Sequence, residues 1–459
     1  MSLPTGFVPP DAADAPRALH LVDAAGLGAW CDRQGEATAR WARSQGWDAS
    51  PGSVLLLPGD DGAAAAAAIG IGDRLDPFSY AHAPMALPPG DWRLAEDDAT
   101  AGEARSALLV GWGLGSYRFD RYKQAPRAPA RLVAEPDAES VDLVTACCRV
   151  RDMVNTPTEH MGPEQLEDFA RALAEAHGAA FESIAGDALL ARNFPAIHAV
   201  GRASHRAPRL LQLSWGEAGA PHLALVGKGV CFDTGGLDIK PAEGMRNMKK
   251  DMGGAAHALA LAGLVMARRL PVRLTVLVPA VENAIGPDAF RPGEVIATRK
   301  GLSVEIDNTD AEGRVVLGDA LAYAGELEPA LVLDFATLTG AARIALGPDL
   351  PALYSNDDAV AAAWLQAGEA QRDPLWRMPL WRPYLRYLTS RIADLANAGS
   401  RMAGSVTAAL YLERFVPPGT AWAHLDVYSW NDNDRPGRPA GGEAQALRAA
   451  WAMLKARYG

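Results

Sequence analysis

The chain has 459 residues, more than one ordinary core accommodates, and its 49% apolar and 22% charged composition excludes a disordered or fibrous protein. Its formal net charge of −11 argues against nucleic acid as a partner, because an acidic surface repels phosphate backbones. No apolar run reaches the roughly 20 residues a membrane span needs, so no membrane association is expected.

The opening stretch MSLPTGFVPPDAADAP has neither a basic start nor an apolar core. No signal peptide is expected, and the cytoplasm is the expected location. Ala18–Val22 and Ser53–Leu57 predict short strands, and Glu36–Trp47 predicts a helix. The alanine run at 63–68 reads as helix or loop. Ala107–Val110 reads as a buried strand before a Gly-rich turn, GWGLGS at 111–116. A lone GxG with no acidic partner downstream is a structural turn rather than a phosphate loop. From 124 the chain shifts to QAPRAPARLVAEPD, whose three prolines suggest an extended linker. A helix is predicted from about Ala138 to Met153, and another over 163–177 with Pro163 in its first turn.

The implied layout is an N-terminal α/β domain over 1–135, a linker and connecting helix over 136–160, and a C-terminal catalytic domain over 161–459. In the last, predicted strands and helices alternate. Leu223–Val230, Val272–Val281, Leu302–Ile306 and Ala330–Ala336 read as strands; Gly254–Arg268 and Arg314–Ala324 read as helices. That order predicts an α/β fold with a mixed central sheet flanked by helices. In such sheets ligands bind beyond the carboxyl ends of the strands. Cys31, Cys147, Cys148 and Cys231 form no CxxC pair and no metal-ligand spacing, so reduced thiols are expected.

Arginine outnumbers lysine by 37 to 7, yet four of the seven lysines fall between 228 and 250. Only the amine of lysine readily loses its proton when buried, so this clustering hints at a need for amines. Three segments after predicted strands hold the charges of interest. VGKGVCFDTGGLDIKP carries Lys228, Asp233 and Lys240; MKKDMGGAAH carries Asp251; VEIDNTDAEGRVVLGDAL carries Asp310, Glu312 and Arg314. If the loops converge, four carboxylates meet, and they cannot all stay ionised without cations. Two divalent ions would balance them: oxygen donors suit Mg²⁺ or Mn²⁺, and Zn²⁺ also accepts carboxylates. Only His257 lies near these motifs, and neither HExxH, GxSxG nor a CGSCW-like signature occurs. Taken singly, Asp251, Asp310 and Glu312 could merely cap the helix each one precedes. Three such segments with two embedded lysines make that simpler reading harder to hold.

NTDAEGR followed by VVLGDAL resembles the signature of the leucyl aminopeptidase (cytosol aminopeptidase) family of two-metal metallopeptidases. VGKGVCFDTGGLDIKP and MKKDMGGAA resemble that family's other metal-binding segments, and DFATLTGA at 334–341 and VNTPTEHMGP at 154–163 also match. The resemblance covers about 150 to the C-terminus; in the N-terminal part only GSYRFDRYK at 115–123 looks family-like. It implies a metal ligand set of Lys228, Asp233, Asp251, Asp310 and Glu312, with Asp233 and Glu312 bridging two ions. Mn²⁺ or Zn²⁺ would be the main candidates, and Mg²⁺ or Co²⁺ further ones. Lys228 could ligate only as a neutral amine, so its pKa would have to fall from about 10.4. Lys240 would stay charged and bind the developing oxyanion, and Arg314 would hold a bicarbonate as proton shuttle. Met248, Asn308, Thr337, Leu338 and Gly340 would touch the substrate.

The implied reaction is hydrolysis of the N-terminal peptide bond, releasing free amino acids through a water activated by two metal ions. The implied substrates are peptides with a free N-terminus, and the implied assembly is a homohexamer. A dipeptidase or amidase of the same chemistry, and a DNA-binding regulator on the same scaffold, remain as alternatives. HLDVYSWNDNDRPGRPAGGEAQ at 424–445 departs from the small residues usual in the family after HLD, where the specificity pocket is shaped. Tyr428 and Trp430 would either narrow that pocket or pack in the core, the latter slightly favoured, so a leucine preference does not follow. Asp238 is a candidate salt-bridge partner.

Overall fold

The computed structural model describes residues 3–98 and 100–459; Met1 and Ser2, the start of the N-terminal stretch read above, and Ala99 lie outside the described residues. The chain divides into two compact units, Met1–Cys148 with Asn431–Ala440, and Arg149–Trp430 with Gly441–Gly459.

The first unit holds a six-stranded sheet in the order Phe7–Val8, Arg131–Val133, Asp91–Leu94, Arg17–Val22, Ala64–Gly70, Val54–Pro58. Every pairing in it is parallel except the last. Three expectations change here. The alanine run is a strand, not helix or loop: Ala67, Ala68 and Ile69 are fully buried between neighbouring strands, and that burial overrides the helical preference of alanine. The stretch read as strand plus Gly-rich turn is one helix, Gly102–Ser116, buried on all sides from Ala107 onward. A short apolar run buried all round shows no period to separate helix from strand. Its glycines serve close approach, since a Cβ on Gly111 would lie 1.9 Å from the Pro77 carbonyl oxygen. Within the supposed linker, Arg131–Val133 forms a sheet strand.

The second unit is built on a nine-stranded mixed sheet. Its order is Trp376–Arg377, Ala352–Ser355, Trp422–Asp426, Leu331–Ala336, His222–Gly227, Arg273–Asn283, Arg209–Trp215, Ala180–Ala185, with Gly229–Asp233 beside the far half of Arg273–Asn283. The central strands run parallel, so their carboxyl ends share one edge. Antiparallel pairs lie outside them. The expected single strand Leu223–Val230 is two strands broken at Lys228. Two helices deliver residues to that edge. Gly253–Ala267 is buried along nearly its whole length, as its uniformly apolar Ala/Leu sequence requires. Glu312–Glu326 follows the NTDA loop and is buried over most of its length. Among the described residues none of the four cysteines forms a disulfide, and no helix is long and apolar enough to cross a membrane.

Candidate metal centre

The three charged segments converge at the carboxyl ends of the parallel strands, around a cavity of about 330 Å³. Lys228 sits in the break between two strands, its backbone N–H donating to Phe335 O at 3.0 Å and its carbonyl accepting from Ala255 N at 2.8 Å. Its side chain reaches the cavity past Gly313, where a Cβ would lie 2.5 Å from the Lys228 Cε. Asp233 ends the strand Gly229–Asp233, and the chain then turns through Gly235 at φ +86°, a conformation that favours glycine. This turn brings Lys240 back over the same acid.

Oxygens of Asp233, Asp310 and Glu312 lie within 4.8 Å of one another. Lys228 Nζ is 2.7 Å from Asp251 Oδ2 and 3.0 Å from Glu312 Oε1. Lys240 Nζ is 2.9 Å from Asp233 Oδ2 and also pairs with Asp310. The capping alternative fails on geometry. The helix Glu312–Glu326 has Ala311 as N-cap and Gly253–Ala267 has Met252, and neither end receives a side-chain cap. The acids point into the cavity instead.

The charges strain against one another. Burial, and then the neighbouring Asp233, pushes Glu312 up to about 8 and Asp310 up to about 6. Burial opposes ionisation of Asp251 too, but Lys228 and Lys250 outweigh it and hold that carboxyl low. For Lys228, burial favours the neutral amine, but Asp251, Glu312 and Asp233 prevail and hold the ammonium above its ordinary range. Lys240 is raised in the same way, by Asp233, Glu312 and Asp310 against burial. The expected fall of the Lys228 pKa is thus reversed when only the chain's own charges act. Burial lowers Arg314.

Divalent ions fit this donor set. Four carboxylates face two ammonium groups, and among the described residues Glu312 Oε2 is buried with no hydrogen-bond partner. An acceptor stripped of water without a donor is costly, and a hard cation answers it. Arg314 donates through Nη1 to Asn397 O at 2.9 Å, while its Nε is buried without a partner among the described residues.

A second group of residues holds the first, and sequence reasoning missed most of it. Asn283 donates to Asp233 Oδ1 at 2.8 Å and to Thr309 O at 3.0 Å. Asn397 accepts from the backbones of Asp307 and Asn308 and donates back to Asn308 O. Asp426 accepts from Leu338 N, Thr339 N and the Thr339 hydroxyl. Asn283 and Asp426 are polar residues at the carboxyl ends of buried strands, a position that could have marked them; Asn397, in a loop distant in sequence, carries no such mark. His257 lies outside the cavity lining, tied to Gly253 O and Gln445 N. Asp238 makes no salt bridge among the described residues; it accepts from Thr309 N and the Thr309 hydroxyl.

Of the expected residues, Lys228, Asp233, Lys240, Met248, Asp251, Asp310, Glu312, Arg314, Thr337, Leu338 and Gly340 all line the cavity. Asn308 does not; its side-chain oxygen accepts from Asp310 N at 2.8 Å and shapes the loop. Thr337 is tied to the cage, its carbonyl accepting from Lys228 and its hydroxyl donating to Asp251. Tyr428 lines the cavity rather than packing in the core, whereas Trp430 is outside the lining with Lys249 Nζ over its ring at 5.6 Å. Lys250 and Arg343, not anticipated, line it as well.

The family model described as the cytosol aminopeptidase family, catalytic domain, matches residues 148–450, and that of the M17 aminopeptidase N-terminal domain matches residues 18–135. A probable cytosol aminopeptidase of Syntrophotalea carbinolica is 42% identical over 388 residues, covering 79% of this chain and 78% of that protein. The crystal structure of a cytosol aminopeptidase from Coxiella burnetii superposes with a TM-score of 0.93 at 46% identity, covering 97% of this chain and 98% of that one. The bottromycin maturation enzyme BotP, solved in complex with Mn, superposes with a TM-score of 0.88 at 33% identity, covering 97% of this chain and 100% of that one.

Proposed function

The chain belongs to the cytosol aminopeptidase family and is a metal-dependent aminopeptidase, and from that premise we propose how its residues divide the work. The observation that carries the proposal is the convergence of Asp233, Asp310 and Glu312 oxygens within 4.8 Å, with Lys228 and Asp251 alongside. These five residues would hold two divalent ions. Mn²⁺ or Zn²⁺ suits the mixed amine and carboxylate donors, with Mg²⁺ or Co²⁺ as alternatives; the Mn complex of BotP supports the first. Such a pair supplies Lewis-acid polarisation of the scissile carbonyl and a water of lowered pKa.

The chain's own residues do the rest. Lys228 would serve as a nitrogen donor only as the neutral amine, which needs added positive charge to undo the pull of Asp251 and Glu312. Lys240 keeps its proton and donates to the carbonyl oxygen as negative charge grows on it, an interaction stronger in the transition state than in the ground state. Arg314, whose Nε has no partner among the described residues, would hold a bicarbonate, which would supply a proton-accepting base. Met248, Leu338 and Gly340 form cavity wall against the substrate, and Thr337 steadies Asp251 and Lys228. Asn308 acts on substrate only through the loop that it shapes for Asp310.

Substrates are peptides with a free N-terminus, and the relatives favour neither a DNA-binding regulator nor a dedicated dipeptidase or amidase. A cytoplasmic homohexamer is the assembly proposed, which light scattering tests directly. For the site, release of leucine from Leu-peptides is measured for Glu312→Ala across Mn²⁺, Zn²⁺, Mg²⁺ and Co²⁺, with metal content determined on the purified protein. Loss of activity is expected; cleavage by the variant at the wild-type rate would overturn the ligand assignment.

A further inference from the structure

The cavity has a second wall that the peptide-bond chemistry does not use. Lys250 is only 8% exposed and lines the cavity, yet among the described residues it has no ion pair and no side-chain hydrogen bond. The acids around it are engaged elsewhere: Asp251 by Lys228 and the Thr337 hydroxyl, Asp426 by Leu338 N, Thr339 N and the Thr339 hydroxyl. Asp251 and Asp426 act on it through space, but a buried ammonium with no direct ion pair or hydrogen bond is costly, so its retention needs a reason. Arg343, on the short helix Gly340–Leu346, lines the same cavity and among the described residues has no side-chain partner beyond one aromatic ring. That ring is Tyr428. Lys250 Nζ lies over it at 5.1 Å from the centroid and the Arg343 guanidinium at 4.4 Å. Tyr428 is itself anchored by its backbone N–H to Gln445 Oε1 at 3.0 Å. Cation–π contacts orient two cations on one rigid ring but leave their N–H groups unspent. Two positively charged donor groups lining one cavity match a carboxylate.

We infer that Lys250 and Arg343, braced on Tyr428, form a carboxylate-recognition subsite that selects peptides presenting an acid group beside the scissile bond. The acid is either the side chain of a first-position Glu or Asp, or the α-carboxylate of a short peptide. The inference rests on the aminopeptidase reading and adds a substrate class to it.

The Mn²⁺-loaded protein is assayed on Glu-, Gln- and Leu-p-nitroanilide, and on Leu-Gly and its C-terminal amide. A preference for Glu over Gln assigns the acid to the first side chain, and one for Leu-Gly over the amide assigns it to the chain end. Either ratio of kcat/KM is expected at roughly 30-fold or more, the scale of leaving a desolvated charge unpaired. K250M and R343M should each pull the ratio toward one, acting mainly through KM, and K250R should keep most of it. Because Arg343 is exposed, R343M keeps the test decisive if K250M fails to fold. Equal rates on both acid and amide pairs, or an acid preference that survives in the folded variants, would overturn the subsite while Leu-p-nitroanilide hydrolysis leaves the aminopeptidase reading standing. No hydrolysis of any substrate would remove that reading and the subsite with it.

Discussion

The helix Glu312–Glu326 buries two carboxylates, Glu312 in its first turn and Asp319 two turns on. Burial pushes both up, Glu312 to about 8 and Asp319 to about 7. A displaced pKa therefore does not tell them apart; their donors do. Asp319 accepts from Ala196 N at 2.8 Å, Ile197 N at 3.3 Å and Arg299 N at 2.7 Å, so both of its oxygens are used by backbone. It caps the helix Pro195–Gly201 and pins the loop at Arg299. Glu312 has Lys228 on one oxygen and nothing on the other among the described residues. A carboxylate satisfied by fixed backbone donors is finished structurally, whereas one with an orphan oxygen, in a cavity lined by four other acids, needs a further partner.

The largest effect should fall at the first of the two. Glu312→Ala is expected to cut kcat/KM on Leu-p-nitroanilide on the order of 10³-fold, the scale of losing one transition-state contact of this kind. In excess EDTA its melting temperature should stay near that of wild type, because the lost group was imperfectly paired. A variant that melted far below wild type in EDTA would mean that Glu312 is as structural as Asp319.

Added Mn²⁺ sharpens the contrast next. At a hundredfold excess over its Kd, an ion that binds only the folded chain stabilises it by about 2.7 kcal/mol. Calorimetry should show an upward shift of Tm for wild type and for Asp319→Asn, and a much smaller one for Glu312→Ala. Equal shifts in all three would separate the ion from Glu312.

Asp319→Ala should do the reverse, leaving backbone N–H groups of two segments without acceptors. A loss of about 2–4 kcal/mol in urea unfolding is expected. The kcat/KM of the folded fraction should stay at the wild-type level, and a large fall there would tie Asp319 to the site.

The smallest effect is a pH slope. The Asp319 carboxyl titrates at about 7 in the folded chain against an ordinary 3.8. Between those values the folded state binds the extra proton, so stability from this group is fully present below 3.8 and is lost as pH rises toward 7. Asp319→Asn should flatten that part of the stability profile. An unchanged slope in the variant would assign it to other groups.

Legibility followed what each residue answers to. The helix Pro163–His177 was readable to the residue because its proline start and glycine stop are local signals. The candidate residues Lys228, Asp233, Asp251, Asp310 and Glu312 were likewise picked out locally, because they stand in short glycine-bearing segments after strands. The alanine strand Ala64–Gly70 and the helix Gly102–Ser116 were misread because each is buried all round over its later part, from Ala67 and from Ala107 onward, where periodicity vanishes and neighbours decide. Asn397 was invisible for another reason: it supports Asn308 and Ala311 from 89 and 86 residues away.

By itself, then, the sequence determined the family, the alternating order of the catalytic unit and the set of charged residues worth watching, because motif spacing and local chemistry are written along the chain. Only the tertiary structure decided which of those charges meet. It left Glu312 with a bare oxygen and closed Asp319 with three backbone donors, although the two share a helix. It also turned Tyr428 from a candidate core residue into a platform for Lys250 and Arg343. Pairing is a property of distances across the fold, and no single segment encodes it.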